Sequence, residues 1–237
     1  MGASEVTSER SRRRPVVVAG AVLAAAVLLA AGLLLGSLLA PDQAAADPQE
    51  GSVDVGFSRD MREHHAQAVE MSVLVRDATD DPQVRTLALD IMLTQQQQLG
   101  QMYGWLTAWG LPQTSASPPM RWMTPDDAAA EGMPGMDGPS HGAMDTKAGA
   151  GLRMPGMASD EQLAALAQAA GRRAERIYLQ LMIPHHRAGV QMAQYAVQYA
   201  RQPQVRRLAR NIVDSQTSEI AVLREMLAAR GGPVAGL

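Results

Sequence analysis

Cysteine is absent from the 237 residues, which excludes disulfides, thiolate metal sites and cysteine nucleophiles together. Aromatic residues are scarce, with one Phe, four Tyr and three Trp, whereas Ala, Leu, Met and Gln are plentiful. That balance favours helix over sheet. Charge of either sign is not in excess: the net charge is −3 with acids and bases interspersed, so the electrostatic footprint of a nucleic-acid-binding protein is missing. The chain also has no glycine-rich phosphate loop, no nucleophile elbow and no His-Glu-x-x-His. Its length allows one or two domains. With the ends set aside, roughly 180 residues remain, enough for a compact soluble core.

Against these absences stands a His-His pair that occurs twice. The first copy reads Met61-Arg-Glu-His64-His65-Ala-Gln-Ala-Val69-Glu-Met71, and the second Met182-Ile-Pro-His185-His186-Arg-Ala-Gly-Val190-Gln-Met192. Four of the five histidines lie in these pairs, bracketed by methionines at the same offsets. The likeness extends well beyond them. A shift of 121 residues also aligns Asp54 with Glu175, Phe57 with Tyr178, Pro82-Gln-Val-Arg85 with Pro203-Gln-Val-Arg206, Ile91 with Ile212, Gln95 with Gln216 and Gly110 with Gly231. No gap is needed, so the chain contains an internal duplication.

Each repeat reads as a helical hairpin. Phe57, Met61, His64, His65, Ala68, Met71 and Val75 share one helical face. Asp81-Pro82 ends that helix and starts a second, whose stripe runs through Val84, Ala88, Ile91, Gln95, Gln98, Met102 and Leu106 to a stop at Gly110-Leu-Pro112. In repeat two, Ser159-Asp-Glu-Gln162 predicts a capping box opening a long helix, Pro203 starts the next, and Gly231-Gly-Pro233 stops it. One hairpin cannot bury its own stripe, so the expected fold is all-α, a four-helix bundle of two hairpins.

The expected domain plan is a basic cytoplasmic tail (1–14), a transmembrane anchor or uncleaved signal (15–40), a tether (41–52), repeat one (53–112), a Met/Pro/Gly-rich loop (113–158), repeat two (159–232) and a short tail (233–237). Arg10, Arg12, Arg13 and Arg14 precede an uncharged apolar run from Val16 to Ala40. That run exceeds the roughly 7–15 residues of a signal-peptide core and reaches the roughly 20 that span a bilayer. The basic cluster keeps its own end of the span in the cytoplasm and puts residues 41–237 outside the membrane. The alternative is a long cleaved signal, with Ala44-Ala45-Ala46 at the cleavage site and a secreted product. In the long loop, Thr124-Pro-Asp-Asp predicts the cap of one short helix, and the rest reads as mobile.

Chemistry concentrates on the core stripes. His64, His65, His185 and His186 point into the bundle, and Gln95, Gln98, Gln216 and Glu219 lie on the inward faces of the second helices. A buried polar group left without a hydrogen bond costs roughly 1–3 kcal/mol, so these residues call for a shared explanation. One is a structural network in which His donates to Gln or Glu. The other is a metal site, with imidazoles as ligands and Gln95, Gln98, Gln216, Glu219, Asp54 and Glu175 as the groups that orient them. Carboxylates are too few for a di-iron centre. Imidazole with thioether suits copper, Cu(I) in particular, which brings in Met61, Met71, Met182 and Met192. The loop adds Met133, Met136, His141, Met144, Met154 and Met157 as further candidate ligands, although methionine is also a common core filler.

The segments Phe57-x-x-x-Met61-x-x-His64-His65-x-x-Ala68-Val69-x-Met71 and Tyr178-Leu-Gln-Leu-Met182-Ile-Pro-His185-His186-Arg-Ala-Gly-Val190-Gln-Met192 resemble the signature of domain-of-unknown-function family 305. Ile212-Val-Asp-Ser-Gln216-Thr-Ser-Glu219 and the Met154-Pro-Gly-Met157 lead-in resemble it as well. The resemblance implies a ferritin-like four-helix bundle, usually exported, with some members linked to copper or silver binding and resistance. Departures from the pattern include Ala174-Glu175 ahead of the second motif, Arg62-Glu63 where repeat two has Ile-Pro, and Gln98 where repeat two has Glu219. The expected function is an extracytoplasmic, membrane-anchored metal-binding protein, non-enzymatic, serving sequestration, trafficking or resistance. A homo-oligomer is compatible with it, and nucleic acid is not an expected partner. The alternatives are an envelope interaction module with an architectural His/Gln network and, third, a ferritin-like metal oxidase.

Overall fold

Proline and glycine punctuate both halves at matching places. The computed structural model describes residues 28–30, 32, 46–123 and 153–237, and the regular elements among them are all helical. Helix α1 (Val53–Ala78) starts at Ser52, whose hydroxyl accepts from the Val55 N–H at 3.4 Å. Helix α2 (Pro82–Ala108) starts at Asp81, whose Oδ1 accepts from the Gln83 and Val84 N–H groups at 2.9 and 3.1 Å. Repeat two supplies α3 (Asp160–Ala167), α4 (Gly171–Tyr199) and α5 (Pro203–Ala229). The bounds of α5 are those of α2 moved by the repeat offset, proline first in each. Both helices close on a left-handed glycine, Gly110 (φ 66°) and Gly231 (φ 91°). The next residue's N–H then reaches back to a carbonyl of the last turn: Leu111 to Leu106 at 2.9 Å, and Gly232 to Leu227 at 3.0 Å.

Repeat two departs from the expected long opening helix. The capping box at Ser159 and Gln162 forms, but the helix it opens stops after 8 residues, and Gly171 at φ 52° begins a separate helix. A left-handed residue cannot continue a right-handed helix, so the chain turns there and α3 delivers Leu166 to the core.

The long loop also differs from expectation where it is described, since both of its arms are held on the body. A single 3-10 turn, Arg121–Met123, seats Trp122 over Gly56, where any Cβ would fall 2.3 Å from the indole. The indole N–H and the Met120 N–H both donate to Asp60 Oδ2 at 2.7 Å. At the other arm Gln67 bonds Ala158 twice, donating to its carbonyl at 3.0 Å and accepting from its N–H at 2.7 Å. Gly156 (φ 77°) there lies so close to the Pro184 carbonyl that a Cβ would meet it at 2.5 Å. The helix expected after Thr124 falls outside the described residues. So does the 15–40 anchor, apart from residues 28–30 and 32, which are helical. Among the described residues no helix is long and apolar enough to cross a membrane. The end of the 41–52 tether is docked, because Arg59 grips both carboxylate oxygens of Glu50.

Within the unit Asp47–Leu237, each hairpin closes on itself through α1 with α2 and α4 with α5, and the two hairpins meet through α1 and α4. Two apolar clusters result. One holds Met71, Val84, Ala88, Ile91, Tyr178 and Met182, the other Phe57, Met61, Met192, Val205, Ala209 and Ile212. Every one of these residues has its repeat mate in the opposite cluster, as a two-fold axis between the clusters requires. His64 and His185 meet across that axis.

Candidate metal centre

Burial of the stripe carries all four imidazoles inside: His64, His65, His185 and His186 are each 0% exposed. His64 and His185, repeat mates on α1 and α4, face one another across the axis with ring centroids 3.7 Å apart and planes tilted by 30°. Their sequence neighbours point about 100° further round each helix, towards α2 and α5. There His65 Nε2 donates to Gln98 Oε1 at 2.7 Å, and His186 Nε2 donates to Glu219 Oε2 at 2.7 Å. The two outer pairs obey the repeat offset atom for atom.

Those two partners orient the outer rings. A carboxylate and an amide oxygen only accept, so each outer imidazole carries a proton on Nε2. Nδ1 of each is buried and has no hydrogen-bond partner. In the central pair neither nitrogen of either ring makes a well-formed hydrogen bond, although the His185 ring touches the His64 main chain. The side-chain amides of Gln95 and Gln216 are equally without partners, and Gln216 Oε1 lies where a Cβ on Gly189 would meet it at 2.4 Å. Among these histidines and glutamines the orphaned atoms thus come in repeat-related sets.

Burial also sets the protonation state. It holds His64 and His185 well below the ordinary histidine value, and the neighbouring imidazoles push in the same direction. His65 is pushed down to about 4, burial outweighing the opposing hydrogen bond from Gln98. Neutral imidazoles with unengaged lone pairs are the metal-ligating form. Thioethers close the layer on both sides: Met61 and Met192 sit in one apolar cluster, Met71 and Met182 in the other, all fully buried. An imidazole and thioether set is of the donor type that suits a soft ion such as Cu(I). The rings stack instead of converging, and no group of three or more His, Asp or Glu side chains among the described residues is arranged to hold a metal ion. An ion held by these rings would require side-chain rotation within the layer.

Other expected site residues lie elsewhere. Asp54 and Glu175 are ten residues before His64 and His185, roughly 15 Å along their helices. They serve as latches between hairpins instead of orienting imidazoles. Asp54 accepts from the Arg201 and Gln202 N–H groups at 3.0 and 2.8 Å, in the turn of the second hairpin. Glu175 accepts from the Thr79 hydroxyl at 2.6 Å in the turn of the first, and from Arg230 Nε at 2.8 Å. Met154 is buried in one apolar cluster and Met157 packs against it, so neither belongs to a mobile loop. Met133, Met136, His141 and Met144 lie outside the described residues. Sequence reasoning missed the seat of Trp122; Gly56, where repeat two has Ile177, was its only signal.

The family of unknown function DUF305 matches residues 54–227. A crystal structure of a DUF305 protein from Streptomyces coelicolor, inferred to be secreted, is 43% identical, with a TM-score of 0.66 over 80% of this chain and 100% of that one. A DUF305 fragment from Deinococcus radiodurans is 32% identical, with a TM-score of 0.56 over 75% of this chain and 96% of its own. CopM is more distant. Its Cu(I)-bound form is 21% identical with a TM-score of 0.53, covering 76% of this chain and 98% of that one. Its Cu(II)-bound form is 26% identical with a TM-score of 0.50, covering 74% and 96%. No curated protein matches the chain.

Proposed function

The chain belongs to the DUF305 family, and on that premise we propose that it is an extracytoplasmic protein that binds Cu(I) or a similar soft ion as cargo, for sequestration or hand-over. The observation that carries this reading is the buried layer of four imidazoles whose ring nitrogens are left without hydrogen-bond partners, six of them in all. A network serving only architecture would satisfy its own members, because each orphaned group costs about 1–3 kcal/mol. His64, His65, His185 and His186 would hold the ion, with Met61, Met71, Met182 and Met192 alongside. The ion would supply the missing partner for the lone pairs. The protein's part is to keep His64, His65 and His185 neutral, orient the outer rings and exclude water. CopM has been solved with Cu(I), Cu(II) and silver bound, which supports the same choice of metal.

Two finer readings accompany this one. The four long helices form a ferritin-like bundle, and the run from Val16 to Ala40 exports the rest of the chain and anchors it in the membrane. The basic cluster at Arg10–Arg14 and the secreted character inferred for the Streptomyces relative support export.

The test is a Cu(I) competition titration of the full-length protein against a chromogenic chelator, alongside the variant with all four histidines changed to alanine. Stoichiometric uptake by the wild type and loss in the variant is the expected result. Equal affinity in both would sink the assignment. The hydrogen bonds at Gln98 and Glu219 favour the envelope-module reading as the second choice. It requires that the wild type take up no stoichiometric metal.

A further inference from the structure

The outer histidines share a pose and differ in what holds them. Gln98, the partner of His65, is a neutral amide only 5% exposed. Glu219, the partner of His186, is a carboxylate whose side chain is 23% exposed, while His186 itself is 0% exposed. Among the described residues Glu219 is the only charged side chain hydrogen-bonded to an imidazole of the layer. It therefore connects the layer to water through a single 2.7 Å contact. The ends of the layer offer no comparable path, since Met61, Met71, Met182 and Met192 are each 0% exposed.

Three effects of Glu219 act in one direction. A cation brought into a dry interior loses its hydration at high cost, and a fixed negative charge beside the site offsets part of that loss. A carboxylate accepting from Nε2 makes the imidazole a stronger donor at Nδ1 than an amide does. Partial exposure lets the same carboxylate meet a hydrated cation before it reaches the imidazoles. We propose that Glu219 makes the two halves of the layer unequal: the cation loads on the His186 side, and the His65–Gln98 side follows as the weaker and slower one. Glu219 acts through His186 and is a positioning residue. This inference rests on the proposed metal-binding function.

The experiment presents Cu(I) from a chromogenic chelate to the full-length protein and follows both the rate of colour loss and its equilibrium extent. Glu219→Gln keeps an acceptor for His186 and removes only the charge. It is expected to weaken binding by about 10–100-fold, the usual effect of removing a group that orients a metal ligand, and to slow uptake. His186→Ala should cost more affinity than His65→Ala, and Gln98→Glu should speed uptake. Melting of the metal-free proteins separates this from a structural role, which would lower the melting point without changing uptake. If Glu219→Gln takes copper as fast and as tightly as wild type, or His65→Ala costs as much as His186→Ala, the inequality is overturned and the binding function stands. Should Glu219→Gln misfold, Gln98→Glu decides alone, and unchanged uptake there overturns the proposal. A wild type that takes no Cu(I) overturns both.

Discussion

The two hairpins differ less in shape than in chemistry. Helices α2 and α5 begin and end at the same repeat positions, and both close on a left-handed glycine. Yet the outer histidine is held by an amide in one half and a carboxylate in the other. The latches differ too: Asp54 captures two main-chain N–H groups, whereas Glu175 binds a hydroxyl and a guanidinium. Duplication preserved the positions that set helix ends and core packing. Divergence is concentrated in polar partners, where a change of charge alters chemistry without moving the backbone.

Acid offers the largest test of what the halves share. The unfolded chain takes up a proton on each histidine near pH 6.5, whereas His65 in the folded protein does so only near 4. Between those values the unfolded state holds more protons, so stability falls as pH falls. This contribution is complete above 6.5 and lost by about 4. His65 alone accounts for roughly 3 kcal/mol, and the central pair, one histidine from each half, adds to the loss in the same direction. Urea unfolding at pH 7 and pH 4.5 measures it, and equal stabilities would show that the rings are not neutral in the folded layer.

The latches should separate the halves. Glu175→Ala leaves the buried Arg230 with Asp81 as its remaining carboxylate partner and is expected to cost about 3 kcal/mol. Asp54→Ala removes the acceptor of two main-chain N–H groups, that of Gln202 buried, and should cost about 1–2 kcal/mol. Equal losses in denaturant titrations would erase the distinction between the latches.

The central pair gives a smaller effect of opposite sign. Replacing His64 and His185 together by leucine removes orphaned polar atoms and is expected to stabilise the metal-free protein by about 2 kcal/mol while abolishing copper uptake. His65→Leu, which strands the Gln98 amide, should instead destabilise it by about 1–2 kcal/mol. If the double leucine variant melts lower than wild type, the central rings contribute structural bonds after all.

Most of the helical frame was legible from Pro82, Pro203, Gly110 and Gly231, because helix starts and stops are local events. The duplication also placed both histidine pairs and the Gln and Glu side chains of the second helices on core stripes, but which of them pair, His65 with Gln98 and His186 with Glu219, is visible only in the structure. Asp54 and Glu175 were misread. Alignment gave them equivalent places near the histidines in sequence, but ten residues of helix is a long distance, and each reaches a partner in the turn of the other hairpin. No local pattern encodes such a contact. Nor did the capping box at Ser159 reveal the early stop before Gly171, since a glycine within a helical pattern does not announce the sign of its φ. The stacking of His64 on His185 depends on how two whole hairpins dock, and it emerged only in three dimensions.

The exchange of repeat mates between the two apolar clusters has a consequence for assembly. The face that α1 presents to α4 is isologous, the kind of self-matching surface by which two identical chains ordinarily form a dimer. Here it is closed within one chain, and the connector holds the two hairpins at an effective concentration on the order of millimolar. Encounter between the halves is therefore independent of how much protein is present. A dilute molecule keeps its imidazole layer assembled, where a two-chain version would come apart.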